Sequence, residues 1–277
     1  MTVTPQMIRE LREKTGVGIG KCKEALEQAN GDMEEAISIL RKSGMASAVK
    51  KEGRAANEGM IGFAETDNSI ALVEVNAETD FVVNNERFQE FLTDMAKEIA
   101  ETNPVSLEDF LGQKFSKDSS MTIDEHRASI VQAIGENIQI RRLKIFSKNA
   151  NHSVGVYSHL GGKIVTVVEI DGSNAAVDLA KDIAMHVAAA SPEYVSPEDV
   201  PANVIEQEKD IARSQMQGKP DNVIDKILEG KISKFFDENC LNRQLFIKDD
   251  KLNISELVKK HGDNLKINNF TRWTVGQ

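Results

Sequence analysis

The strongest constraint on this chain is that it describes the same small fold twice. Met60-Ile-Gly-Phe-Ala64 and Ile70-Ala-Leu-Val-Glu-Val75 are apolar, β-prone runs, and Asp67-Asn68-Ser69 between them is turn chemistry, so a β-hairpin is predicted. Phe88, Phe91, Leu92, Met95, Ala96 and Ile99 then recur at helical spacing until Asn103-Pro104 stops them. The same order returns later. Ser153-Val-Gly-Val-Tyr-Ser158 and Val165-Thr-Val-Val-Glu-Ile170 repeat the strands, and Val177 to Ala190 repeats the helix up to Ser191-Pro192. Leu179-Ala-Lys-Asp-Ile-Ala184 even follows Met95-Ala-Lys-Glu-Ile-Ala100 residue by residue. The expected fold class is therefore α+β, with two related subdomains, each a small antiparallel sheet with helices on one side. Residues 121–142 join them through a helix running into Ile134-Gly-Glu-Asn-Ile-Gln-Ile-Arg-Arg142.

Three other patterns surround this core. Residues 1–45 read as three short helices with a thin shared core: Met7, Ile8 and Leu11, then Cys22, Ala25, Leu26 and Ala29, then Ala36, Ile37 and Leu40. Gly31 closes the second helix, Asp32 caps the third with Glu35 three residues on, and Ser43-Gly44 is the expected stop. Residues 46–58, small, polar and basic, read as a linker with some helix in its first half. Residues 197–238 read as an inserted helical hairpin. Val204, Ile205, Ile211, Ala212 and Gln215 lie on its first helix, Gly218-Lys219-Pro220 at its turn, and Val223, Ile224, Ile227, Leu228 and Ile232 on its second. Its apolar stripe suits either its own body or a second chain. The core subdomains then span 59–142 and, discontinuously, 143–196 with 239–277. The last part holds a short strand Leu245–Ile247, a helix Ser255–Lys260 and a final strand Lys266–Val275 with the only Trp, Trp273.

Charge narrows the class of partner. The 277 residues carry a net −10, while residues 1–57 carry +2, so the body is strongly acidic and would repel a phosphate backbone. A protein partner fits better, and direct nucleic-acid binding is not expected. No apolar run approaches the roughly 18 residues of a membrane helix, and the N-terminus lacks a basic-then-apolar leader, so a cytoplasmic protein is expected. Cys22 and Cys240 form neither a disulfide framework nor a zinc-type pair.

Enzyme chemistry leaves no constellation. Gly16-Val-Gly-Ile-Gly-Lys-Cys22 is one residue short of a phosphate loop, puts Cys where Mg²⁺ needs a hydroxyl, and follows a helix where a strand is required. Gly161-Gly-Lys163 reads as a hairpin turn. The five histidines, His126, His152, His159, His186 and His261, are not spaced as metal pairs, and His186, in an apolar helix, is expected to be a partly buried, satisfied side chain. Neither a cofactor, a metal nor catalytic residues are expected.

Two segments carry a family resemblance. Leu11-Arg-Glu-Lys-Thr-Gly-Val-Gly-Ile-Gly-Lys-Cys-Lys-Glu-Ala-Leu26 and Glu74-Val-Asn-Ala-Glu-Thr-Asp-Phe-Val82 resemble the two signatures of elongation factor Ts. Asn30-Gly-Asp32, Arg41-Lys-Ser-Gly44, Ile134-Gly-Glu-Asn-Ile138 and His186-Val-Ala-Ala189 follow that family in the same order. The resemblance implies a ubiquitin-associated-like three-helix N-terminal domain, a core of two related subdomains, and a protruding hairpin used by some members to form homodimers. It implies a guanine-nucleotide exchange factor of translation elongation that binds elongation factor Tu, both GDP-bound and nucleotide-free, displaces Mg²⁺ and promotes GDP release. Thr79, Asp80, Phe81 and Val82 match the segment that dislocates Mg²⁺. On residues alone Phe81 reads as core at a strand end; the resemblance makes it a rigid wedge. Arg12, Ile19, Gly20 and Lys23 match the N-terminal anchor, and His159 matches a contact of the second subdomain. The chain departs from the family in that anchor loop, where many relatives carry an apolar pair and an acid and this one has Ile19, Gly20 and Lys21. Gly20 offers little contact area, so Ile19 and the Asp80-Phe81 pair are expected to carry more of the binding.

Overall fold

The computed structural model describes residues 3–214 and 221–277. The chain divides into two compact units, Met1–Ser147 with Thr274–Gln277, and Lys148–Trp273.

The first unit opens on three helices. α1 (Pro5–Thr15) starts where Thr4 Oγ1 accepts from Met7 N–H at 3.3 Å and ends at Gly16, whose left-handed φ of 68° lets its N–H turn back to Arg12 O. α2 (Ile19–Gln28) and α3 (Met33–Lys51) follow, the latter capped by Asp32 accepting from Glu35 N–H at 2.8 Å. Leu11, Cys22, Leu26, Ala36 and Leu40 form their small core. α3 does not stop at Ser43-Gly44 as expected; it continues to Lys51 and takes up the first half of the supposed linker. The physical reason is close packing. A Cβ at Gly44 would lie 3.2 Å from the Gln132 side chain and 3.4 Å from Ala128 O, so this glycine admits a neighbouring helix rather than ending its own. Beyond it, Ala48 is buried in the core of the sheet that follows.

That sheet has the order β1-β2-β5: β1 (Glu58–Glu65), β2 (Ser69–Ala77) and β5 (Ile138–Ser147), all antiparallel. β2 is central and buried along its whole length. After it come a single helical turn, α4 (Asp80–Val83), and the long α5 (Glu86–Thr102), which lays Phe88, Phe91, Met95 and Ile99 against Val73 and Val75. α6 (Leu107–Gly112), the small β3–β4 ribbon (Lys114–Phe115, Asp118–Thr122) and α7 (Ile123–Ile134) complete the unit. Thr122 and Glu125 form a reciprocal capping box at the start of α7. The sequence boundary at 142 falls inside β5, which extends to Ser147.

The second unit repeats this plan. β6 (His152–His159) and β7 (Ile164–Asp171) form a hairpin, α8 (Val177–Ala190) packs on it, and β10 (Lys266–Thr274) closes the order β10-β7-β6. Between α8 and β10 lie the ribbon β8–β9 (Leu245–Phe246, Asp249–Asn253) and α11 (Ile254–His261), which has its own capping box from Asn253 and Glu256. Gly161-Gly162-Lys163 makes the β6–β7 turn as expected. The repeat extends to the glycines. At Gly62 a Cβ would sit 2.8 Å from the Leu92 side chain, and at the matching Gly155 it would overlap the backbone of Ala180 and Lys181. In both copies the helix can approach the sheet only where the strand has no side chain.

The hairpin interrupts the second copy alone. α9 (Ala202–Ser214) and α10 (Asp221–Asn239) pack through Ala212 and Leu228. Its base is held by Tyr194 N–H on Asn239 O at 3.1 Å and Leu241 N–H on Tyr194 O at 2.9 Å. The expected turn at Gly218-Lys219-Pro220 and the stripe position Gln215 lie outside the described residues, as does the side chain of Val223. Among the described residues no helix is long and apolar enough to cross a membrane.

Candidate partner-binding site

Phe81 is the most exposed aromatic side chain among the described residues of unit one, at 84% exposure, and the local fold shows why. β2 ends at Ala77, and the chain leaves it through Glu78 and Thr79 instead of continuing as a strand. Thr79, in extended backbone (φ −131°, ψ 155°), caps a single helical turn, its Oγ1 accepting from Val82 N–H at 3.4 Å. Asn84 closes the turn with both its N–H and its Nδ2 on Asp80 O, at 3.2 and 2.9 Å. Asn85 then caps α5 by accepting from Arg87 N–H at 3.0 Å. A helical turn rotates about 100° per residue, so four residues cannot share one face. Val82 and Val83 take the inward side and are buried, which leaves Asp80 and Phe81 outward. The pair is thus an exposed carboxylate beside an exposed ring, on a turn fixed at both ends.

The turn is also gripped from across the unit. Glu136, in the α7–β5 connection, accepts from Thr79 N–H at 3.1 Å and from Thr79 Oγ1–H at 2.8 Å. In return Glu78 accepts from Asn137 N–H at 2.6 Å and from Arg54 Nη1 at 3.3 Å. Asn137 Nδ2 holds Arg54 O at 2.8 Å, so the exit from α3 is fastened to the same point. Lys51 lies in this neighbourhood. Burial pushes its pKa down first, the charges of Lys21 and Arg54 push the same way, and Glu78 and Glu136 oppose them.

The N-terminal residues sit on the helical bundle of the same unit. Ile19 is 55% exposed, Gly20 is exposed with open space around it, and Lys23 pairs loosely with Glu27 at 3.6 Å. Ile19 and Lys23 are one helical turn apart. Arg12 is exposed on α1, and its charge is felt at the Cys22 thiol, which burial nevertheless raises. Gly16 caps the end of α1 and Lys21 already lies on α2, so the Gly16–Cys22 run joins two helices and no strand leads into it as a phosphate loop requires. Arg87 ties the loop to the core by donating from Nη1 to Gly16 O at 2.8 Å, and its own N–H is held by the α5 cap Asn85, just after the Phe81 turn. His159 belongs to the second unit, exposed at the end of β6, where its ring stacks on Tyr157 and Nδ1 is 3.2 Å from the Tyr157 hydroxyl. His186 is more buried than expected and only half satisfied: Nε2 meets Gln244 Oε1 at 2.9 Å, while Nδ1 has no partner.

No sequence pattern marks Glu78, Glu136 or Arg87 individually. Glu136 lies 57 residues from Thr79, and no local pattern announces such a contact.

Comparison with known proteins resolves the kinship. The sequence model of elongation factor TS matches residues 78–277, and so takes in the Thr79–Val82 turn, Glu136 and His159. Elongation factor Ts of Protochlamydia amoebophila is 64% identical, over 99% of each chain. That of Chlamydia muridarum is 46% identical over 98% of each, and that of Trichlorobacter lovleyi 42% identical over 100% of this chain and 94% of the relative. The chain belongs to the elongation factor Ts family. Membership of the elongation factor Ts family implies a nucleotide-exchange factor that works with elongation factor Tu in translation elongation. It also covers the N-terminal bundle, which precedes the matched range but falls within the aligned length of these relatives.

Proposed function

We propose that this chain accelerates GDP release from elongation factor Tu, in the cytoplasm, by inserting Phe81 and Asp80 beside the site that holds Mg²⁺ and phosphate. The observation that carries the reading is a rigid aromatic ring held 84% in solvent, on a turn whose neighbours Val82 and Val83 are buried. An isolated protein gains nothing from such an arrangement, whereas a partner that closes over the ring does. An exchange factor must bind the nucleotide-free partner better than the GDP form, since equal affinity for both shifts nothing. Mg²⁺ demands near-octahedral ligation, so a small displacement of its surroundings is enough to weaken it. Asp80, exposed and without an ion pair among the described residues, adds an acceptor and a negative charge next to the wedge. Ile19 with Arg12, Gly20 and Lys23 would grip the partner's nucleotide-binding domain, and His159 a second region of it. The outward Ile211 of α9 is the edge on which two copies would pair, and light scattering of the free chain reads that state.

The test is stopped-flow release of a fluorescent GDP from elongation factor Tu. Phe81→Ala is expected to lower the stimulated rate about tenfold or more, the loss of one hot-spot anchor. Release as fast as with the unmodified chain would overturn the wedge. Complex formation without any acceleration by the unmodified chain would show an adaptor instead.

A further inference from the structure

The wedge is only as effective as its aim, and the aim is set outside the signature. Thr79 is the first fixed residue of the turn that displays Phe81, and the Glu136 carboxylate holds it twice, by its N–H at 3.1 Å and its hydroxyl at 2.8 Å. The hydroxyl proton points to Glu136, which leaves a Thr79 Oγ1 lone pair for Val82 N–H at 3.4 Å. A hydrogen-bond relay therefore runs from Glu136 through Thr79 into the helical turn. The reverse grip of Glu78 on Asn137 N–H, at 2.6 Å, stops the two connections from sliding past each other.

We infer that Glu136 is a positioning residue for nucleotide exchange: its carboxylate fixes the direction in which Phe81 meets the partner. The inference rests on the reading of Phe81 as the wedge. Only a carboxylate suits the position fully, because it accepts from an N–H and an O–H at once, one on each oxygen. An amide keeps one acceptor and turns a donor towards the other. Glu136 is half-buried, whereas Phe81 stands out in solvent, so Glu136 acts through the turn and needs no contact with the partner. Misplacing a reacting or wedging group by about 1 Å is enough to cost up to about a hundredfold in rate.

The experiment uses the full chain and fluorescent GDP on elongation factor Tu, with the saturating release rate separated from the half-saturating concentration. Urea unfolding followed by circular dichroism checks that each variant is folded. Glu136→Ala is expected to lower the saturating rate about tenfold, the effect of losing hydrogen bonds to a charged acceptor. Glu136→Gln, isosteric and able to keep one bond, is expected to lose about threefold, and it carries the test should the alanine variant not fold. The decisive arm is Phe81→Ala combined with each change. A positioning residue has nothing left to position once the ring is gone, so the double variant should be no slower than Phe81→Ala alone. A merely structural role would give effects that multiply. Multiplying effects, or Glu136 variants as fast as the unmodified chain while Phe81→Ala is slow, overturn this inference and leave the wedge standing. Phe81→Ala at full rate overturns the wedge, and the inference with it.

Discussion

The buried ion pair of the first sheet offers a sharp energetic test. Glu74 lies in the middle of β2 with 0% exposure, and four donors reach it. Arg142 Nε and Nη2 both approach Oε2 at 2.7 Å; Asn76 Nδ2 at 3.2 Å and Gly276 N–H at 2.9 Å approach Oε1. Arg142 Nη2 also donates to Thr274 O at 3.2 Å, so the pair clasps the last residues of the chain onto the sheet. Arg142→Met keeps an unbranched apolar stem and removes the guanidinium and its charge. The Glu74 carboxylate is then left in the sheet with two neutral donors and no countercharge. Breaking one side of a buried pair costs about 3–5 kcal/mol. Because the Arg142 side chain is 30% exposed, water can enter where it leaves, and the lower end, about 3 kcal/mol, is the expected loss. The double change Glu74→Leu with Arg142→Met removes the orphaned charge and leaves Gly276 N–H and one of the two Asn76 Nδ2 hydrogens short of an acceptor, a cost of about 2 kcal/mol, while the Thr274 O bond is lost in both variants. The double variant should therefore be more stable than Arg142→Met alone. Urea unfolding by far-ultraviolet circular dichroism measures both, with a midpoint about 1 M lower for Arg142→Met. The reasoning fails if Arg142→Met unfolds at the original midpoint, or if the double variant is the less stable of the two.

Two further expectations concern the second unit, where Trp273, the sole tryptophan, gives a local signal. Gly155→Val should destabilise it by about 2–3 kcal/mol, since any Cβ meets the backbone of α8 and the overpacked strand must move away; the tryptophan emission midpoint in urea reads this. Burial holds the His186 pKa below its ordinary value, with the Gln244 hydrogen bond opposing, so the unfolded chain takes up a proton at about pH 6.5 that the folded chain still refuses. Stability should thus fall as pH drops below about 6.5 and level off beneath the folded pKa, and His186→Gln should flatten that slope in tryptophan-monitored urea midpoints taken across the range.

Much of the fold was legible because packing leaves periodic marks. The two strand–strand–helix runs were readable from alternation and helical spacing, and Gly62 and Gly155 stood at matching places because both helices need the same gap. What escaped was held by other means. The strand at Leu245 was legible, but its partner Asp249–Asn253 and the ribbon at Lys114–Thr122 are short and mostly polar, and each ribbon is followed by a bond that no pattern encodes: Ile123 N–H on Gln113 O and Ile254 N–H on Gln244 O, at 2.9 and 3.0 Å. Gly44 misled because glycine both ends helices and lets them touch, and only the neighbour tells which. At the candidate site, Thr79 to Val82 could be picked out by family likeness, but the direction of Phe81 could not. Spacing does not say whether β2 continues or turns into a helix, and that choice decides whether the ring is buried or exposed.

The duplication itself separates scaffold from function at this site. In the second copy the connection after α11 holds the connection after β7, as Glu136 holds Thr79 in the first: Asn264 Nδ2 donates to Gly172 O at 2.6 Å. A tie between these two turns is therefore a property of the repeated fold, needed to close β-strand, helix and β-strand around one core. The chemistry of the tie differs. In the second copy the grip falls on Gly172 (φ 107°), where a Cβ would strike Asn264, and the chain runs from there through Ser173 to Ala176 into α8 with no helical turn and no exposed aromatic. In the first copy an ionised acceptor replaces the amide, a capping threonine replaces the glycine, and four extra helical residues present Asp80 and Phe81 to solvent. The fold supplied the joint, and the first copy alone carries a projecting arm on it. That asymmetry is why the role inferred for Glu136 in exchange has to be measured against Phe81 rather than against stability: the structural share of the tie is common to both copies, and only the first copy presents a ring to solvent.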